Sequence, residues 1–311
     1  MDLTEPAWFR VVVRDGDALL VTATEERWLG IDFSGNHEMW KPRRKSNIFV
    51  ADVRAGHGRY RLHSLLTVQE LTCQELEAPS LRASDTPFER LARLLGRRDF
   101  IAAGIDAPFC VPYEFMPDGG HPALLELVAE IEHPNRPFPE AKEFVSRILN
   151  GRTPATKKPL RPTELGWKGR KINVRSSLWS GARGGAAMTA ACLTLLHASG
   201  CPIWPWCEPD EPGLLAEAFP AAQLCHWGLG YTGYNGNDPA AKSKRIVITG
   251  AIGKVIDIPK SERSRMEECA DALDAVLCAF GAIALSTGRW LRPAESYRDG
   301  VIAVHERIEE Y

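Results

Sequence analysis

Two stretches of the chain close a short apolar run with the same three residues. Trp28-Leu29-Gly30-Ile31-Asp32 passes into the turn Phe33-Ser34-Gly35-Asn36, and Ile101-Ala102-Ala103-Gly104-Ile105-Asp106 passes into Ala107-Pro108-Phe109. Unbroken apolar runs of this length fit strands buried on both faces, and open α/β sheets place their ligands just beyond the carboxyl ends of such strands. As parallel neighbours, the two strands bring Asp32 and Asp106 together. A later stretch, Cys269 to Phe280, carries helical periodicity instead, and its Asp271 and Asp274 are spaced to share one face. Asp274, Cys278 and Gly281 form a stripe of small side chains that lets the helix approach a sheet closely. A short aspartate needs that approach to reach a carboxylate at a strand end.

The remaining pattern fills in a sheet with helices around it. Trp8 to Thr22 suits a hairpin in an N-terminal extension over residues 1–26, and residues 27–311 are expected to form a single domain. Asn47 to Val53 and Arg59 to Leu65 flank Gly56-His57-Gly58 as a second hairpin. Thr86-Pro87 opens a helix that runs to Gly96, capped by the threonine with proline in its first turn. Residues 113–175 are broken by prolines and glycines and are expected to be an insertion, with helical patches at Ala123 to Glu132 and Glu140 to Leu149 and a mobile basic loop. Ser176 to His197 predicts one long helix, Pro202 to Trp206 a strand, Leu214 to Pro220 a strand with Glu217 embedded in it, and Ala221 to His226 a helix start. Lys242 to Gly250 and Ser261 to Ser286 predict two more helices.

Composition narrows the class without naming a function. The chain has 311 residues, 44% of them hydrophobic and 25% charged, with a net charge of -2, which describes a soluble globular protein able to build a core without staples. No apolar run approaches the roughly 18 residues of a membrane span, and the start lacks a secretory signal, so the expected location is the cytoplasm with no membrane partner. The eight cysteines show no C-x-x-C pair and read as reduced core thiols rather than a zinc set. The near-neutral sum leaves room for a local basic face, and Lys157, Lys158, Arg161, Lys168, Arg170, Lys171, Arg175 and Arg183 crowd the Pro- and Gly-punctuated segment.

The candidate chemistry follows from the acids. Unpaired carboxylates are costly to bury, so several converging require a cation, and hard oxygen donors without a His/Cys set favour Mg²⁺ or Mn²⁺. Bland readings stand beside these: Asp32 and Asp106 as turn residues bonding their own backbone, Asp271 as a solvated helix residue, Glu217 as a strand-edge charge, the basic segment as a solvated loop.

Gly30-Ile31-Asp32, Gly104-Ile105-Asp106 and Asp271-Ala272-Leu273-Asp274-Ala275 together resemble the ribonuclease-H-like superfamily, and the Asp-Ala-x-Asp-Ala helix is similar to the last helix of RuvC-type Holliday-junction resolvases. With Glu217-Ala218-Phe219-Pro220-Ala221-Ala222 and the ending Asp299-Gly300-Val301-Ile302-Ala303-Val304-His305, residues 28 to 305 resemble the predicted RNase H-like nuclease family, domain-of-unknown-function family 429. The resemblance implies an α/β fold: a mixed five-stranded sheet, its first three strands antiparallel and its first, fourth and fifth parallel, flanked by helices. It implies Asp32, Asp106, Asp271 and Asp274 as catalytic acids, with Asp32, Asp106, Asp274 and Glu217 as metal ligands. RuvC-type enzymes carry Glu at the fourth-strand position, one methylene longer than Asp106. The expected activity is hydrolysis of nucleic-acid phosphodiesters by two ions bridged by Asp32. Arg161, Lys168, Arg170 and Lys171, with Trp167, are the expected clamp on the nucleic-acid backbone. Two other functions remain open: an actin-like or sugar-kinase-type ATP-binding phosphotransferase using Asp32 to Asn36 as its phosphate hairpin, and a nucleic-acid-binding module of the same fold without catalysis.

Overall fold

The computed structural model describes residues 25–42, 44–56, 59–72, 85–292 and 298–306. Strands β1 (Glu26–Ile31), β2 (Phe49–Gly56) and β3 (Arg59–Thr67) pair antiparallel in succession. Strands β4 (Ala102–Ile105) and β5 (Leu214–Ala218) extend the sheet from β1 in parallel. The two-residue strands β6 (Ile256–Asp257) and β7 (Ile302–Ala303) add to β3 and β5. The sheet therefore has seven strands in the order β6-β3-β2-β1-β4-β5-β7, not the five expected. The two extra strands are too short to leave an apolar pattern. The N-terminal hairpin expected at Trp8 to Thr22 lies outside the described residues.

Pleating sends alternate side chains to opposite faces, and both faces are covered. Leu29, Ile31, Ala103, Ile105 and Leu215 belong to one core. That core is closed by α1 (Pro87–Gly96), α2 (Gly120–Ala129), α3 (Ala141–Leu149) and α5 (Ala186–Ser199), while the short α4 (Pro162–Gly169) precedes α5 in the chain. Trp28, Ala102, Leu214 and Ala216 face the other core, against α7 (Pro239–Ile252), α8 (Lys260–Glu268) and α9 (Ala270–Ser286), with α6 (Pro220–His226) following β5. The Thr86 cap forms as expected: its hydroxyl accepts the Glu89 N–H while the Glu89 carboxylate accepts the Thr86 N–H.

Helix α9 controls the architecture around the sheet. Leu273, Val276, Leu277, Phe280 and Ile283 are all buried, each contributing about 1.5–3 kcal/mol of apolar transfer. Its backbone lies directly on the strands. A Cβ on Gly30 would overlap the Ala275 carbonyl and the Ala279 amide, and one on Gly104 would overlap the Cys278 carbonyl. Gly281 takes the same contact further along, against Ala218 and Ala303.

Several expected elements differ. The single helix expected over Ser261 to Ser286 is two, because Cys269 adopts extended angles (φ -127, ψ 122) and the axes bend by 113° there. The helix expected from Ser176 starts only at Ala186; Gly181, Gly184 and Gly185 fold the preceding residues into tight loops that side chains would obstruct. Pro202 to Trp206 makes one isolated bridge, Ile203 to Leu215, since its prolines carry no ladder donors. The basic segment expected to be a mobile loop contains α4, anchored by the buried Arg161, Glu164 and Trp167. Among the described residues no single helix is long and apolar enough to cross a membrane.

The helix-to-sheet approach predicts opposite outcomes for two Gly→Ala changes. Gly104→Ala must push α9 off β4 and is expected to lower stability by about 1–3 kcal/mol or more, because the obstructing atom is backbone. Gly250→Ala, within α7 with open space around it, is expected to raise stability by about 0.4–1 kcal/mol. Urea midpoints of the two variants test the pair, and an unchanged midpoint for Gly104→Ala would contradict the packing described.

Candidate functional site

The parallel register pairs Gly30 with Gly104 and Ile31 with Ile105, and the Asp106 N–H donates to the Ile31 carbonyl at 2.9 Å. Asp32 and Asp106 therefore leave adjacent strands at the same end of the sheet. The Asp32 N–H is held by the Phe49 carbonyl at 3.1 Å, which extends the β1–β2 ladder one residue past the strand. By alternation, Asp32 and Asp106 share the face of Gly30 and Gly104, the face on which α9 lies. Asp271 occupies the first turn of that helix and Asp274 the next, on the side that touches the strands.

These four acids act on one another. Burial, then the charges of Asp274, Asp271 and Asp106, hold the Asp32 carboxyl well above the ordinary carboxylate range. Asp274 is likewise raised well above it, by burial first and Asp106 second, against an opposing hydrogen bond from Tyr234. Asp106 is pushed up to about 7, chiefly by burial, then by Glu217, with Arg175 opposing. Asp271 is raised by burial and restrained by a hydrogen bond from Asn47. Asp32 is 7% exposed, and its carboxylate has no hydrogen bond or ion pair among the described residues.

The arrangement suits a cation by donor chemistry, since every converging group is a carboxylate and their mutual repulsion is what a positive charge relieves. Among the described residues, no group of three or more His, Cys, Asp and Glu side chains is drawn together tightly enough to hold an ion as it stands. The acids share a field without forming a closed cage.

Two expected site residues are placed elsewhere. Glu217 pairs in register with Ile105 rather than with Asp106, so its side chain belongs to the opposite face of the sheet, with Leu215 and away from α9. There its oxygens accept from Arg161 at 2.5 and 2.7 Å and from the Phe109 N–H at 3.0 Å, which leaves it engaged instead of free to ligate. Arg161, expected on the nucleic-acid backbone, is 1% exposed and also bonds Glu164 at 3.0 Å. The guanidinium bonds both glutamates and offsets one of their two charges, which lowers the cost of burying the group. A phosphate on the surface would not reach the guanidinium. Lys168, Arg170 and Lys171 do stand exposed at the end of α4, with the Arg170 guanidinium 4.8 Å from the Trp167 ring centroid. No interaction joins them to the acids among the described residues.

Other residues belong to the site and were not singled out from sequence. The Tyr234 hydroxyl donates to Asp274 Oδ1 at 2.8 Å, and Asn47 bonds Asp271. Tyr234 sits in a polar, turn-rich stretch with no periodicity to point to it, its one signal an isolated aromatic between Gly233 and Asn235; Asn47 opens the apolar run of the expected second hairpin, a pattern that marks the strand and not the amide. Arg175 appeared only as one charge of the basic segment, yet it acts on Asp106. The turn within Asp32 to Asn36, considered above as a phosphate hairpin, is packed under α5: a Cβ on Gly35 would overlap the backbone of Ala187 and Met188. That side of the turn has no room for a phosphate.

A raised carboxyl pKa means that the folded protein binds protons more tightly than the unfolded chain, so its stabilising effect is complete below the ordinary carboxylate range and is lost as pH rises through the folded-state values. The metal-free protein is therefore expected to lose stability from about pH 4 upward through about pH 7, the value for Asp106. Asp274→Asn keeps an acceptor for Tyr234 and removes a charge, so in chelator it is expected to melt above the parent at pH 8, with the gap closing toward pH 4. Thermal melts across that range measure it; a variant melting lower at every pH would show that the acids do not repel one another.

The family described as protein of unknown function (DUF429) matches residues 30–298, and the chain belongs to that family. No curated protein and no solved structure matches it.

Proposed function

We propose that this member of the DUF429 family is a metal-dependent nuclease with a ribonuclease-H-like core, hydrolysing nucleic-acid phosphodiester bonds in Mg²⁺ or Mn²⁺. The observation that carries the reading is the convergence of Asp32, Asp106, Asp271 and Asp274 at one sheet end, from two adjacent parallel strands and a helix pressed onto them. The inner strand order β3-β2-β1-β4-β5 and the aspartates of α9 support the likeness to RuvC-type resolvases.

In this reading Asp32, Asp106 and Asp274 hold the ion. Bound there, it supplies a water of lowered pKa and charge stabilisation for the phosphorane-like transition state. The chain's own residues do the rest. Tyr234 fixes one oxygen of Asp274, which leaves the other for ligation. Asn47 restrains Asp271 at the start of α9. Asp32, without a protein partner, is the acid most in need of a cation. The positive charge of Arg175 acts on Asp106 and would offset part of the acids' repulsion toward a phosphate diester. Lys168, Arg170 and Lys171 serve as outlying backbone contacts.

The test is cleavage of labelled single- and double-stranded DNA and RNA in Mn²⁺, with calorimetric titration of Mn²⁺ and of ATP alongside. The parent is expected to cleave at least one substrate and to bind Mn²⁺. Asp32→Asn and Asp274→Asn are expected to reduce the rate by more than about a hundredfold and to weaken Mn²⁺ binding. Heat from ATP with none from Mn²⁺, or cleavage that survives both substitutions, would overturn the assignment.

A further inference from the structure

The loop from Ser176 to Gly185 is built around one tryptophan. The Trp179 N–H donates to the Ser176 carbonyl at 3.2 Å, and the Trp179 carbonyl accepts the Ala186 N–H at 3.3 Å. Gly185 and Gly184 close the loop by donating to the Ser176 and Gly181 carbonyls at 3.0 and 2.9 Å. The ring edge is fixed as well, its Nε1–H donating to the Ala182 carbonyl at 3.3 Å. Side chains are excluded where the chain wraps the indole: a Cβ on Gly181 would overlap the ring, and one on Gly184 would overlap the Trp179 carbonyl. The cost of ordering a large aromatic in a loop is thus met by the loop itself, yet the ring is only half-buried.

What lies over that ring is positive charge. The ammonium groups of Lys157 and Lys158, both on exposed side chains, stand 4.9 and 5.3 Å from the indole centroid. Cations are favourable there by the ring quadrupole, but at exposed positions they hold weakly and move on flexible stems. The loop leads at both ends toward residues that neighbour the acids along the chain or act on them. It ends on α5, whose first residues pack on Gly35, three positions beyond Asp32, and Arg175 at its other end acts on Asp106.

We propose that Trp179 is a stacking platform for an unpaired base, with Lys157 and Lys158 taking the adjoining phosphates, so that the substrate engaged beside the acids is single-stranded nucleic acid. The inference rests on the nuclease reading for its substrate class and specifies the strand state. An indole face is sequence-tolerant because every base has a π surface, and a paired base in a duplex cannot reach it. When a base stacks, the ammonium groups leave the ring and meet the phosphate on either side.

Binding is measured in chelator, where no cleavage occurs, by fluorescence anisotropy of a labelled single strand, the same strand with abasic residues throughout, and a blunt duplex. The parent is expected to bind the base-bearing strand about tenfold or more tightly than the abasic one, in line with the stacking contribution of one base. Trp179→Ala is expected to erase that preference, and Trp179→Phe to keep most of it. Lys157→Ala with Lys158→Ala is expected to flatten the salt dependence by about 0.7 per lost phosphate contact while preserving the preference for bases. Equal affinity of the parent for normal and abasic strands overturns the proposal without recourse to any variant, as does a preference for the duplex. Base-dependent binding by a protein that cleaves nothing in Mn²⁺ supports the platform and removes the nuclease reading; cleavage with indifference to the bases removes the platform alone.

Discussion

The contact on which the rest of this protein depends is backbone against backbone: α9 lying on β1 and β4 at Gly30 and Gly104. Helices normally stand off a sheet by the length of the side chains between them. Here two glycines remove that spacing, so Asp271 and Asp274 come within range of acids that themselves reach only a few bonds from their strands. With ordinary side chains at residues 30 and 104, the same four aspartates would be spread apart and solvated.

That closeness sets up an electrostatic conflict, and the two faces of the sheet resolve it differently. On the face away from α9, Glu217 and Glu164 share the buried guanidinium of Arg161, which bonds both and offsets one of their two charges. On the α9 face, Asp32 has no such partner, and burial and the neighbouring acids hold its proton affinity and that of Asp274 well above the ordinary range. The sheet thus offsets charge with arginine on one face and leaves Asp32 without a counter-ion among the described residues on the other.

Sequence made the centre of this arrangement readable because the relevant signals are local. Apolar runs ending in Gly-Ile-Asp marked β1 and β4, and the stripe of Asp274, Cys278 and Gly281 marked the face of α9 that meets the sheet. What escaped depended on information that is not local. Glu217, embedded in a strand, looked like a further acid of the site, but its side of the sheet is set by register with β4, one residue out of step with Asp106. Arg161 looked like one more charge in a basic run, and only its burial between two glutamates revealed a structural ion pair. Tyr234 reaches the acids from a turn, where no periodicity exists to read, and Asn47 from the residues just before β2, whose apolar pattern says nothing of its amide. The division of the expected long helix into α8 and α9 turned on one residue, Cys269, in extended conformation, with no proline or glycine to announce it.

The acids that meet at the sheet end come from β1 and from α9, the first strand and the last helix of the described chain. During synthesis, Asp32 and Asp106 thus emerge with β1 and β4 well before the helix that carries Asp271 and Asp274. Docking of α9 is the step that covers them, and it sets the burial of a nearly all-apolar helix against the gathering of like charge. A contact between such distant parts of the chain carries a large loop-closure cost and forms late. Docking of α9 is therefore expected to complete the core on that face and to assemble the acid cluster in one step.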